Sequence, residues 1–215
     1  MKDLVKFFIE VGKLRKIKRR GWVLIGAKEP ATVVDHTFRM AMMAWILAGE
    51  KKSKINIERV LKIALIHDIC ELYAGDMTPY DFHSILPEDK KKWSELFDKW
   101  PRPSKSKKMK GHLDKHKKEK ESLMKVISTL PPNLKKEIFN LWMDYEKGLT
   151  PEGRFVKQTN RLETLLQALE YGEENKREPY KSWWIGTEEM VDDPILLQLM
   201  EVLVAEFYKK PKTKS

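Results

Sequence analysis

The chain has 215 residues, with 41% hydrophobic and 34% charged residues and a formal net charge of +10. That length fits one domain with a proper core, or a domain and a subdomain, and no apolar run approaches the roughly 20 residues of a membrane span. The single cysteine, Cys70, excludes an intrachain disulfide and is compatible with a reducing compartment.

The opening "MKDLVKFFIEVGKL" is amphipathic and carries early charges. It lacks the apolar core and small-residue cleavage site of a secretory leader, so a cytoplasmic location is expected. A helix is expected over 2–15, with Leu4, Phe7, Phe8, Val11 and Leu14 on one face. A basic loop, "KIKRRGWVLIGAKEP", follows, and Asp35 is placed to cap a second helix, "HTFRMAMMAWILAGE". A third helix over 57–73 should end at Gly75. After a turn region and a short helical stretch, "PRPSKSKKMKG" has no hydrophobic period and reads as an exposed loop. Further helices are expected over 112–129 and over 133–147, the latter turning Leu134, Ile138, Leu141 and Trp142 inward. Thr150 should cap a long helix opened by Pro151 and reaching about residue 171. A last helix begins at Pro194, ends near 208, and leaves a disordered tail at 209–215. The fold class is all-α, a single domain built by helix packing over 1–208, with no internal repeat.

The positive charge is local. Residues 99–120 hold ten Lys/Arg and two Asp/Glu, a net +8. The rest of the chain is close to balanced, and Trp100 is the only aromatic nearby. Single-strand binding grooves usually interleave several aromatics. A solvated basic insertion at about 99–111 is therefore expected, and nucleic acid is not the expected partner.

The chemistry concentrates in "ALIHDICELYAGD", residues 64–76. His67 and Glu71 share a helical face, one turn apart, and Asp68 lies about 100° round from His67. Burying such groups is costly without partners. A second histidine, His36, sits on another apolar stripe with Met40, Met43 and Leu47. Imidazole and carboxylate side by side suit a divalent cation. A cluster of satisfied core residues is the competing reading of these residues alone. His112 and His116 have i, i+4 spacing, but their lysine-rich surroundings make a shared surface metal a poor fit. Cys70 reads as a buried structural thiol. The "SWW" pair, Trp183 and Trp184, reads as packing a loop onto the body or onto a second subunit.

"RRGWV", "VVDHTFRMA", "ALIHDICELYAGDMTPYD", "LWMDYEKGLTPEGRFVKQ" and "LLQALEY", in that order, resemble the HD-domain metal-dependent phosphohydrolases, and more closely the 5′-deoxynucleotidases among them. The resemblance spans roughly residues 5 to 207 and implies an HD-type helical bundle. It implies hydrolysis of a (deoxy)nucleoside 5′-monophosphate to nucleoside and phosphate, in a protein that forms homodimers. It implies a divalent metal (Mn, Co, Zn or Mg) on His36, His67, Asp68 and a residue of a later helix. It implies that Glu71 serves the acid–base step or orients the attacking water, with Asp76 beside it at the catalytic centre. Substrate contacts are implied at Arg19, Trp22, Asp76, Met77, Thr78 and Pro79. The arginine fork suits a phosphate and the indole suits a base or sugar.

The pattern departs at its fourth ligand. The later helix reads "FVKQTN", so Asn160 stands where the family has aspartate. A neutral amide leaves the ligand set one charge short, and hard cations favour anionic oxygen. Glu163, three residues on, is a candidate source of the missing charge. Ala31 and Val34 replace a glutamate and a serine of the family's site wall. The alternatives are a weakened member that binds nucleotide without turnover, and a nucleic-acid binder using the basic segment.

Overall fold

The structure, a computed structural model, describes residues 1–51, 54–99, 102–176 and 178–208; the expected tail lies outside them. Among the described residues the one β-type pairing is an isolated antiparallel bridge between Lys18 and Thr32. Helix α1 (Lys2–Val11) turns Leu4, Phe7 and Val11 onto the body and tightens into a 3-10 turn over Gly12–Lys16. Phe8, expected on the inward face, is 64% exposed. A short α2 (Arg20–Leu24) interrupts the segment expected to be a loop. Its base is pinned where the Arg19 N–H donates to the Ala31 carbonyl at 2.8 Å.

Helix α3 (Val33–Glu50) starts on a capping box. The Asp35 N–H donates to Thr32 Oγ1 at 3.2 Å, and the Thr32 N–H donates to the Asp35 carboxylate at 2.7 Å. The cap is therefore Thr32, and Asp35 is the third helical residue rather than the cap. Val33, His36, Met40, Ala44 and Ala48 form the buried stripe, so His36 is carried on the core face.

The helix expected over 57–73 is two helices. α4 (Ile57–Ile66), capped by Asn56, stops one residue before His67. His67 Nδ1 donates to the Ala64 carbonyl at 2.7 Å, competing with the backbone for an acceptor in the last turn. Beyond it the bonds reach three residues back, from Ile69 to Ile66 and from Glu71 to Asp68. The one-turn α5 (Glu71–Ala74) follows. Gly75 then takes φ +76° and ψ 153°, a region essentially closed to residues with a Cβ, and swings Asp76 back toward Arg19. Next come α6 (Pro79–Phe82), boxed by Thr78 and Asp81, and α7 (Trp93–Phe97).

Helix α8 (Lys105–Val126) corrects the reading of the basic segment. Ser104 caps it, and residues 105–111 are helix, not loop. The lysines and methionine there are good helix formers, and helix propagates readily from the apolar turns beyond. Gly111 is a crossing point, where a Cβ would stand 2.5 Å from the Phe82 carbonyl oxygen and 2.7 Å from His83 Nδ1.

Helix α9 (Pro132–Lys147) ends at Gly148 in the left-handed region, φ 59°, ψ 46°. α10 (Pro151–Glu174) is capped by Thr150 and opened by Pro151, as expected, and runs three residues further. α11 (Lys181–Glu188), not anticipated, seats Trp183 against Trp22 and Gly21. α12 (Pro194–Phe207) closes the bundle. Met40, Ala44, Ile63, Leu162, Leu165 and Leu196 meet in the central core between α3, α4, α10 and α12. A second core joins Leu14, Val33, Leu123, Ile127 and Trp142.

Asp144 ties three of these helices. Its buried carboxylate accepts from Thr150 N–H at 2.8 Å, Thr150 Oγ1 at 2.6 Å and the Arg59 guanidinium at 2.6 Å. Asp144→Ala removes all three bonds and is expected to destabilise the fold by about 3 kcal/mol, read as a lower urea midpoint at unchanged slope.

Candidate metal centre and its cavity

His36 from α3 meets His67 and Asp68 from the turn after α4. The two Nε2 atoms are 3.3 Å apart. Asp68 Oδ2 lies 3.0 Å from His67 Nε2 and 3.7 Å from His36 Nε2. Both rings are buried. The far nitrogens fix their tautomers. His67 Nδ1 faces a carbonyl, which only accepts, so it carries the proton. His36 Nδ1 faces the Glu163 carboxylate. Burial opposes the charge on Glu163, but His36, Arg19 and Arg39 outweigh it and hold its carboxyl below the usual range. Burial, with help from Arg19, lowers the His36 pKa against the pull of Glu163 and Asp68. His36 is therefore neutral, with its proton on Nδ1.

Two Nε2 lone pairs and a carboxylate oxygen thus point at one another. Burial works against ionised Asp68, yet His67, His36 and Arg19 keep it ionised, well below the usual range. A cation between these three atoms would meet all of them at once. The donor set, two imidazoles with oriented far nitrogens and one carboxylate, fits a divalent cation.

Asn160, on α10, lines the same cavity as His67 and Asp68. Its Nδ2 donates to the Tyr145 hydroxyl, which leaves the amide oxygen as its free end. Glu163 does not join the trio as a ligand. It holds the opposite nitrogen of His36 and is itself held by Arg39 Nε at 2.9 Å, with Glu170 beyond. The charge that Asn160 lacks is present one ring away. Glu163→Gln is expected to weaken divalent-cation affinity by about 10- to 100-fold, measured by metal titration.

A cavity of about 670 Å³ opens from His67 and Asp68. Arg19 lies across it, with Nη1 3.5 Å from Asp68, Nε 3.6 Å from Asp76 and Nη2 donating to Thr164 Oγ1 at 3.1 Å. Burial alone would lower its pKa; Asp76, Asp68 and Glu71 raise it instead. Glu71 is buried and its Oε2 has no partner among the described residues. Burial first, then the charges of Asp68 and Asp76, push its carboxyl well above the usual range, against Arg19. Asp76 Oδ2 accepts from the Arg20 N–H at 2.6 Å.

Met77, Thr78 and Pro79 line the cavity, and the Thr78 hydroxyl donates to Asp81 at 2.6 Å to cap α6. Trp22 also lines it, but at 1% exposure the indole is no open platform for a base. Tyr171 and Trp183 pack against it, each with ring centroids 5.0 Å away. Trp183 is thus packed inward. Trp184 donates its Nε1–H to the Tyr208 hydroxyl at 2.9 Å. Lys157 reaches the cavity but donates to the Glu146 carbonyl at 2.7 Å. Cys70 is buried, and burial above all pushes its thiol well up, so it is inert.

Sequence reasoning missed Tyr145, whose ring lies 5.1 Å from His67, and the α8 wall of the cavity. The signal for the wall was the i, i+4 pair His112 and His116. They do not converge on a metal: His116 bonds Glu146 at 3.2 Å and stacks on Trp142, while His112 packs against Phe82 and His83.

The family model described as HD domain matches residues 11–190. Two curated relatives are named 5′-deoxynucleotidase HDDC2. The one from Danio rerio is 33% identical over 207 residues, covering 96% of this chain and 88% of the relative. The one from Homo sapiens is 31% identical over 206 residues, covering 95% and 86%. Among solved structures, a conserved hypothetical protein from Pyrococcus furiosus superposes with a TM-score of 0.65 at 26% identity, covering 93% of this chain and 98% of that one. A predicted metal-dependent phosphohydrolase from Magnetospirillum magnetotacticum shares the fold, with a TM-score of 0.66 at 23% identity over 97% and 95% of the two chains.

Proposed function

The chain belongs to the HD-domain family, within the group of proteins named 5′-deoxynucleotidase, and from that premise we propose that it is a metal-dependent phosphohydrolase that converts (deoxy)nucleoside 5′-monophosphates to nucleoside and phosphate. The observation that carries the reading is the facing pair of Nε2 lone pairs beside Asp68, at the wall of a cavity large enough for a nucleotide. His36, His67 and Asp68 would hold the metal directly, with the amide oxygen of Asn160 as the neutral fourth donor. When bound, a divalent cation supplies a Lewis acid for the phosphoryl oxygen and a water of lowered pKa.

The protein's own groups do the rest. Arg19 is fixed by Asp68, Asp76 and Thr164, so its fork is pre-oriented for a phosphate. Burial and the neighbouring carboxylates raise the Glu71 carboxyl well above its usual range, which suits it to give a proton to the leaving 5′-oxygen. Asp76, held by the Arg20 N–H, stands where the sugar would enter. Tyr145 holds the Asn160 amide and closes the floor beside His67. The relatives' names support a deoxynucleotide as the substrate class. Phosphate release from a panel of deoxy and ribo 5′-monophosphates, with Mn, Co, Zn or Mg added in turn, tests the reading. Release with at least one metal is expected, and none with any metal would sink it.

A homodimer belongs to the same reading. Val34, Phe38, Met42 and Trp45 are 41%, 70%, 40% and 46% exposed and lie along one outward face of α3, an apolar stripe of the kind that pairs subunits. A cytoplasmic location is consistent with the single buried thiol. No helix among the described residues is long and apolar enough to cross a membrane.

A further inference from the structure

The basic segment is not a solvated appendage. α8 turns Lys108, His112, Lys115, His116 and Glu119 to the catalytic cavity, at spacings that put them on one helical face. Lys157 and Arg161, four residues apart on α10, line the same cavity. The wall runs from exposed Lys108 and His112 at the mouth to Glu119, 3% exposed, at depth. Its carboxylates are partly engaged: one Glu119 oxygen accepts from Lys115 at 2.5 Å while Oε2 has no partner among the described residues, and Glu146 lies 3.2 Å from His116 Nδ1. Among the described residues neither Lys108 nor His112 has an ion-pair partner.

The cations press on one another. His112 is held below its ordinary pKa by burial and then by Lys108, Lys115 and Lys157. Lys157 is lowered by burial and, against Glu146 and Glu119, by Lys115 and Arg161. Such mutual repulsion is relieved by an anion. The acidic lining of the same cavity, Asp68, Glu71 and Asp76, has the contrary character.

We propose that the α8 wall is a second anion subsite, which takes a phosphate group other than the one hydrolysed. This rests on the phosphohydrolase reading above. The shared chemistry is a phosphate dianion with two possible sources: a second phosphate on the substrate, as in a deoxynucleoside 3′,5′-bisphosphate, or free inorganic phosphate. The substrate-borne source is the one expected, because the wall and the metal trio share one cavity.

The test compares kcat/KM for a deoxynucleoside 5′-monophosphate and the matching 3′,5′-bisphosphate. It uses the metal-loaded wild type, the double variant Lys108→Gln/His112→Gln, and the control Lys110→Gln/Lys117→Gln, which removes at least as much positive charge from the outward face. The bisphosphate is expected to be favoured about tenfold in the wild type and control. That preference should collapse toward unity in Lys108→Gln/His112→Gln, through KM. Isothermal titration with inorganic phosphate forms the second arm. No bisphosphate preference, but loss of one bound phosphate equivalent in the same variant, assigns the subsite to free phosphate. If neither preference nor phosphate binding depends on Lys108 and His112, or the outward control loses as much, the proposal is overturned. A wild type that hydrolyses neither nucleotide, yet loses phosphate binding in that variant, refutes the phosphohydrolase reading and leaves the subsite standing.

Discussion

Phosphate release is expected to fall by about a thousandfold or more in His67→Ala, together with loss of bound divalent metal. His67 is the hinge of the site in two senses. Its Nδ1 takes the Ala64 carbonyl and helps end α4, and its Nε2 meets His36 Nε2 and Asp68 Oδ2. Removing the ring deletes one of three convergent donors and leaves His36 Nε2 and Asp68 with no partner on that side. If the histidine were only a satisfied core residue, alanine would cost about 2–3 kcal/mol of stability through its cavity and lost bond and leave metal content alone. The two outcomes separate cleanly when metal is assayed by mass spectrometry on protein that remains folded by circular dichroism. Retained metal and retained turnover in folded His67→Ala would falsify the assignment.

Asn160→Asp is expected to raise divalent-cation affinity by about tenfold or more. The substitution adds one negative charge at the cavity wall, close in shape to what it replaces. Tyr145 can accommodate it. Its hydroxyl now accepts from the Asn160 amide, and it can turn to donate to a carboxylate. Burial, with the charges of Asp68 and Glu146, already holds the Tyr145 phenol protonated, so the donor is present. On the proposed reading Glu163, on the far nitrogen of His36, makes that ring a stronger donor and offsets the missing charge. It follows that Asn160→Asp and Glu163→Gln should largely offset each other in affinity when combined. Metal titration of the two single variants and the double variant measures this. An unchanged affinity in Asn160→Asp would place Asn160 outside the metal's reach.

The site residues were legible in sequence because each carries a local signature. His36, His67, Asp68 and Glu71 are polar groups on otherwise apolar stripes, and Arg19, Asp76 and Asn160 lie in stretches with family spacing. What each of them touches was not legible. Trp22 looked like a platform and is a wall, because α11, unseen in the sequence, delivers Trp183 against it. Glu163 was a candidate ligand and proves to be the partner of one, a distinction set by a ring orientation that spacing does not encode. The α8 lysines looked solvated because a basic helix shows no hydrophobic period. Their inward face depends on Gly111 letting α8 cross close to Phe82 and His83.

By itself, then, the sequence determined the all-α class, most helix positions, the cap at Thr150, the helix start at Pro194, and the presence of a histidine–aspartate cluster. These rest on interactions within one or two turns of helix, where chemistry and neighbour identity suffice. Only the tertiary structure decided that three donor atoms from α3 and the turn after α4 converge within 4.8 Å, that Glu163 sits on the far nitrogen of His36, and that a basic helix completes the cavity. Those outcomes depend on the crossing of α3, α4, α8 and α10, which buried volume and close backbone approach fix across more than a hundred residues of chain.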